Sequence, residues 1–154
     1  MATEEGAETP LEGIAGDCME IALTVEVPQY GEFGLKVRRS PDGAEETAIS
    51  YDASVGVLRI DASRSSLSDD VWTPFPVVGA VDSQKHVRVQ EALFELDPGE
   101  PLQLRIFLDH SILEVFANYL QCVTHRVYPT RADSLGVTVF SDSVSPRQTR
   151  RYVG

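Results

Sequence analysis

Cysteine, histidine and tryptophan are scarce in this sequence. Its 154 residues include two cysteines, Cys18 and Cys122, three histidines and one tryptophan. Two cysteines cannot build a disulfide framework, so a buried hydrophobe is the simplest role for each. The histidines, His86, His110 and His125, lack ligand spacing with the cysteines or with one another. That pattern implies no metal site, and nothing in the sequence implies a cofactor. Basic residues are also few: 13 Lys and Arg against 24 Asp and Glu, a formal charge of −11. Such a chain repels phosphate backbones and anionic lipid, which argues against nucleic-acid and membrane partners. No apolar run approaches the ~20 residues of a membrane helix. The start, Met1-Ala2-Thr3-Glu4-Glu5-Gly6-Ala7-Glu8, is acidic and does not read as a signal peptide, which leaves the compartment open.

Apolar residues make up 42% of the chain, enough for one globular domain. Residues 1–13 read as a flexible acidic lead-in or linker, leaving 14–154 as the folded domain. From Asp17 to Val27 the apolar side chains alternate: Met19, Ile21, Leu23, Val25 and Val27 share one face. A period of two marks a half-buried strand. Similar short strands are predicted at 33–37, 47–51, 57–61, 86–89, 93–96, 102–109, 112–118, 122–128 and 137–141, with a last piece near 148–153. Ser40-Pro41-Asp42-Gly43 supplies a turn, because proline presets φ and glycine accepts φ > 0. No stretch of a dozen residues carries a helical apolar stripe. About ten short strands with short links predict an all-β fold, a two-layer antiparallel β-sandwich. Between Ala62 and Lys85 the alternation fails, and a long loop bearing Trp72 and Phe75 is expected.

Leu102 to Asn118 is the densest segment. It reads as strand, two-residue turn at His110-Ser111, strand. That register sets Asp109 opposite Ile112, Phe107 opposite Glu114 and Arg105 opposite Phe116. Leu104, Ile106, Leu108, Leu113, Val115 and Ala117 then face the core. A following loop of Tyr119, Leu120 and Gln121 places Glu114 opposite Arg126, and a two-residue loop places it opposite His125. Tyr-Leu suits the φ > 0 turn poorly, which favours the longer loop and a Glu114–Arg126 ion pair.

Leu104-Arg105-Ile106-Phe107-Leu108-Asp109-His110-Ser111, then Glu114-Val115-Phe116-Ala117-Asn118, then Thr124-His125-Arg126-Val127-Tyr128-Pro129 resemble the C-terminal β-sandwich module of glycoside hydrolase family 32. That family contains invertases, inulinases and levanases. Gly16-Asp17 with Glu20-Ile21, Phe33-Gly34-Leu35-Lys36-Val37-Arg38, and Ile60-Asp61 with Arg64-Ser65 extend the resemblance over about residues 14–141.

The resemblance implies that the chemistry belongs to a second domain, a five-bladed catalytic propeller. Its nucleophile lies in an Asn-Asp-Pro motif, its stabilising acid in Arg-Asp-Pro, and its acid/base glutamate before a cysteine. None of these strings occurs here, so no catalytic residue carries over and the chain alone is expected to be inactive. Asp109, Ser111, Glu114, Phe116 and Arg126 are then a structural motif. The sharper alternative makes Asp109 and Glu114 a glycosidase pair, since a diagonal of roughly 7–8 Å suits an inverting enzyme. The expected role is accessory, docking on and stabilising the propeller. Two other roles stand beside it. One is a module binding fructan or another carbohydrate through Trp72, Phe75 and Tyr119. The other is a structural domain forming a homodimer.

Overall fold

A computed structural model describes residues 8–27, 30–71 and 87–142. Ten strands occupy them: β1 (Glu8–Ala15), β2 (Cys18–Val25), β3 (Glu32–Arg39), β4 (Thr47–Asp52), β5 (Val57–Asp61), β6 (Val89–Leu93), β7 (Leu102–Asp109), β8 (Ile112–Ala117), β9 (Gln121–Arg126) and β10 (Gly136–Ser141). Every pairing is antiparallel. One sheet has six strands in the order β1-β10-β3-β4-β5-β6, and the other has four in the order β2-β7-β8-β9. The alternation explains the layering. Leu35, Val37, Ile49, Leu58 and Ile60 from the larger sheet, and Ile21, Leu104, Ile106, Leu108, Leu113 and Val115 from the smaller, are each at most 2% exposed. Burying one such side chain contributes about 1.5–3 kcal/mol, so this shared layer holds the sandwich together.

Two expectations about elements change. Residues 8–13 belong to β1, which pairs with β10 and buries Leu11 and Ile14. Over 8–13 the linker reading does not hold, and the strand was hidden because these two apolar residues sit three apart, off the period of two. A register shift between Pro10 and Ala15 and a positive φ of 77° at Gly13 bring both inward. Strands expected at 86–89 and 93–96 are replaced by the single edge strand β6, while His86 and 148–153 lie outside the described residues. β6 exposes Val89, Glu91 and Leu93. It carries no apolar alternation, and pairing with β5 defines it.

A bulge in β3 ties the layers at one end. Val37 and Arg38 together oppose Val137, and Arg38 takes φ = 47°. The turned guanidinium donates to Ser134 O and to His110 O, both at 2.9 Å. Ser134 precedes β10 of the larger sheet, and His110 tips the β7–β8 hairpin of the smaller.

Candidate functional site

The β7–β8 hairpin has the register its sequence implied: Asp109 opposite Ile112, Phe107 opposite Glu114, Arg105 opposite Phe116. His110, at the turn, holds φ = 52°, and its Nδ1 lies 2.8 Å from Asp109 Oδ1. Phe107 and Phe116 meet edge to face at 5.9 Å. The Arg105 guanidinium sits 5.5 Å from the Phe107 ring centroid, and its Nε donates to Glu20 Oε1 at 2.5 Å. Aromatic and charged side chains therefore share the outer face of the four-stranded sheet.

The Glu114–Arg126 ion pair is not formed. The loop between β8 and β9 is Asn118-Tyr119-Leu120, one residue earlier than expected, so Glu114 faces Thr124 and Arg126 faces Ile112. Asn118 and Tyr119 take φ = 47° and 57°, and the Leu120 amide donates to Ala117 O at 2.9 Å. By local preference a tyrosine in the left-handed region is unfavourable. Asn118 overrides that preference. Its side-chain oxygen accepts from the Gln103 amide at 2.7 Å, and its Nδ2 donates to Glu100 Oε1 at 2.9 Å and Pro101 O at 3.0 Å. Arg126 donates instead to Ser111 Oγ at 2.7 Å, so these two members of the motif do meet.

Tyr119 stands 75% exposed at this loop. Beside it the outer sheet face forms a groove of about 300 Å³, lined by Ala22, Thr24, Gln103, Arg105, Phe116 and Tyr119 among others. A larger open cleft of about 660 Å³ lies between Glu26, Tyr51, Asp97 and Glu100. Neither Asp109 nor Glu114 lines either space. Trp72 and Phe75, expected beside Tyr119, lie outside the described residues.

Sequence reasoning missed Glu45. Its side chain is 0% exposed, yet no cation is among its partners in the described residues. Five donors meet its carboxylate: the amides of Leu67 (2.9 Å), Thr130 (2.7 Å) and Arg131 (2.9 Å), and the hydroxyls of Thr130 (2.9 Å) and Ser134 (2.8 Å). Burial pushes its pKa up. The Thr130 and Arg131 amides, the Ser134 hydroxyl and the Leu67 amide outweigh that and hold it at about 2. Arg131 fixes the same loop from outside, donating to Asp42 at 2.8 Å and to Asp133 at 2.7 Å and 2.8 Å. The Ser40 hydroxyl, the Ala44 amide and Arg131 keep the Asp42 carboxyl well below its ordinary range. A glutamate in a loop run of Gly, Ala and Glu carries no sequence signal for burial, because all five donors come from residues at least 22 positions away.

The geometry is that of a braced β-sandwich bearing one decorated sheet face, and comparisons with known proteins give its family and fold. The family model described as glycosyl hydrolases family 32 C terminal matches residues 2–150. An acid beta-fructofuranosidase of Vicia faba is 36% identical over 110 residues, covering 66% of this chain and 15% of that protein. Beta-fructofuranosidase 1 of Zea mays is 35% identical over 123 residues, covering 73% of this chain and 16% of that protein. The chain thus spans about one-sixth of the length of these curated relatives. Among solved structures, fructan 1-exohydrolase IIa from Cichorium intybus superimposes with a TM-score of 0.76 at 21% identity, covering 96% of this chain and 33% of that one. Exo-inulinase from Aspergillus awamori gives 0.69 at 17%, covering 97% and 29%. The structural likenesses establish a shared fold, and the family match establishes descent: the chain belongs to glycoside hydrolase family 32, as its C-terminal module.

Proposed function

We propose that the chain is the non-catalytic accessory β-sandwich of a fructan- or sucrose-cleaving glycosidase, docking on a catalytic propeller and stabilising it. One observation carries this reading. The C-terminal family model covers residues 2–150, whereas Asp109 and Glu114 line neither the groove nor the cleft. Asp109 and Glu114 lie diagonal on the β7–β8 hairpin, roughly 7–8 Å apart by sheet geometry. A glycosidase pair needs that separation and also a cleft that holds the sugar between the acids. Asp109 instead engages the neighbouring His110 ring, and its side chain is 70% exposed.

The test is an assay of the pure chain on sucrose, inulin and levan. No release of fructose is expected. Hydrolysis that disappears in Asp109→Asn or Glu114→Gln would overturn the reading. A catalytic propeller of the family, mixed with the chain, should melt at a higher temperature than alone; an unchanged melting point counts against docking.

A further inference from the structure

The groove beside Tyr119 has features that scaffolding does not require. Tyr119 combines φ = 57° with 75% exposure. A bulky residue in the left-handed region is strained, and glycine at that position would be relaxed. The strain serves no core contact, because the ring points to solvent. The loop is nevertheless held rigidly. Asn118 and Gln103 exchange bonds in both directions: Asn118 N–H to Gln103 O at 2.8 Å, and Gln103 N–H to Asn118 Oδ1 at 2.7 Å. Arg105 is fixed as well, by Glu20 at Nε and by the face of Phe107. Its side chain lines the groove. Thr24 and Gln103 add an exposed hydroxyl and an exposed amide along the same wall.

We propose that this groove binds a neutral saccharide, one ring face resting on Tyr119 while Arg105, Gln103 and Thr24 hydrogen-bond its hydroxyls. A ring with an apolar body and a polar tip suits the mixed face of a sugar, and planar polar groups suit vicinal hydroxyls. The volume of about 300 Å³ sits at the low end for small-molecule sites, room for a mono- or disaccharide unit. An anion is disfavoured, because Glu20 neutralises Arg105 and the chain carries −11 overall. A purely apolar ligand would strand Arg105, Gln103 and Thr24 without partners. The preference for fructosyl sugars rests on the accessory-module reading; the groove itself does not.

Titration of the ¹⁵N-labelled chain with 1-kestose and, separately, cellobiose tests the site. Saturable shifts at the Gln103, Arg105 and Tyr119 amides are expected with 1-kestose. Tyr119→Gly should melt at the same or a higher temperature, yet bind at least about tenfold more weakly, because the platform is gone while the backbone relaxes. Tyr119→Phe keeps the platform and should stay within about threefold of the parent. Thr24→Val leaves the loop untouched and should weaken binding by about threefold to tenfold. No saturable shift with either sugar, or undiminished binding in Tyr119→Gly and Thr24→Val, would overturn the proposal. Binding of cellobiose alone at these residues upholds the groove and counts against the accessory-module reading.

Discussion

Glu45 shows how much one side chain can hold. Its amide donates to Ser40 Oγ across the 40–45 turn, and its carboxylate gathers Leu67 and the 130–134 loop into one knot inside the protein. Glu45→Gln removes the charge from these bonds and sets a donor NH₂ against donor amides. We expect a loss of about 3 kcal/mol in guanidinium unfolding, since bonds to charged groups contribute more than neutral ones. The pH dependence has a definite sign. The folded pKa of about 2 lies below the ordinary carboxyl value of 4.5. The stabilisation is therefore complete above the unfolded value and is lost as pH falls through the folded one. Between pH 4.5 and 2 the parent should lose stability more steeply than Glu45→Gln, measured as the unfolding midpoint at each pH. Asp42 acts in the same direction. None of this was legible in the sequence, because a buried carboxylate is recognised only by its distant donors.

At the scale of elements, the period-two rule served best where one face of a strand is core and the other is wet. β2, β7 and β8 follow it residue by residue. It served worst at the edges, where β1 shifts register and β6 has little apolar content. The family-like run Phe33-Gly34-Leu35 contains a glycine whose reason is tertiary. A Cβ at Gly34 would lie 2.2 Å from Ile49 O and 2.6 Å from the Phe140 ring. Both obstacles belong to neighbouring strands, β4 and β10, paired on either side of β3. Gly34→Ala should therefore destabilise by about 3 kcal/mol through overpacking, read as a lowered midpoint in chemical denaturation. The β8–β9 loop is the counter-example for local rules. Turn preference argued against tyrosine at positive φ, and the Asn118 bonds to Gln103, Glu100 and Pro101 decided otherwise.

At the scale of the whole molecule, sheet order separates residues that sequence alone leaves undecided. Cys18 begins β2 and Cys122 lies in β9, with β7 and β8 between them. Three inter-strand steps of ~4.8 Å place them far beyond the ~7 Å limit for a disulfide. Both are exposed, contrary to the expectation of buried hydrophobes. Two thiols should titrate with Ellman's reagent in the native protein, and reductant should leave the melting temperature unchanged.

Composition and alternation by themselves determined the class of fold, the β7–β8 register and the faces that are core, while the family showed only as a resemblance carried by ordered motifs. Those features depend on residues near one another along the chain, where pleat and turn chemistry act directly. The tertiary structure decided the rest: which strands are neighbours, the frame of the β8–β9 loop, the partners of Arg126, the burial of Glu45 and the groove beside Tyr119. Each of these joins residues from separate strands or loops, and only the packed fold sets their distance.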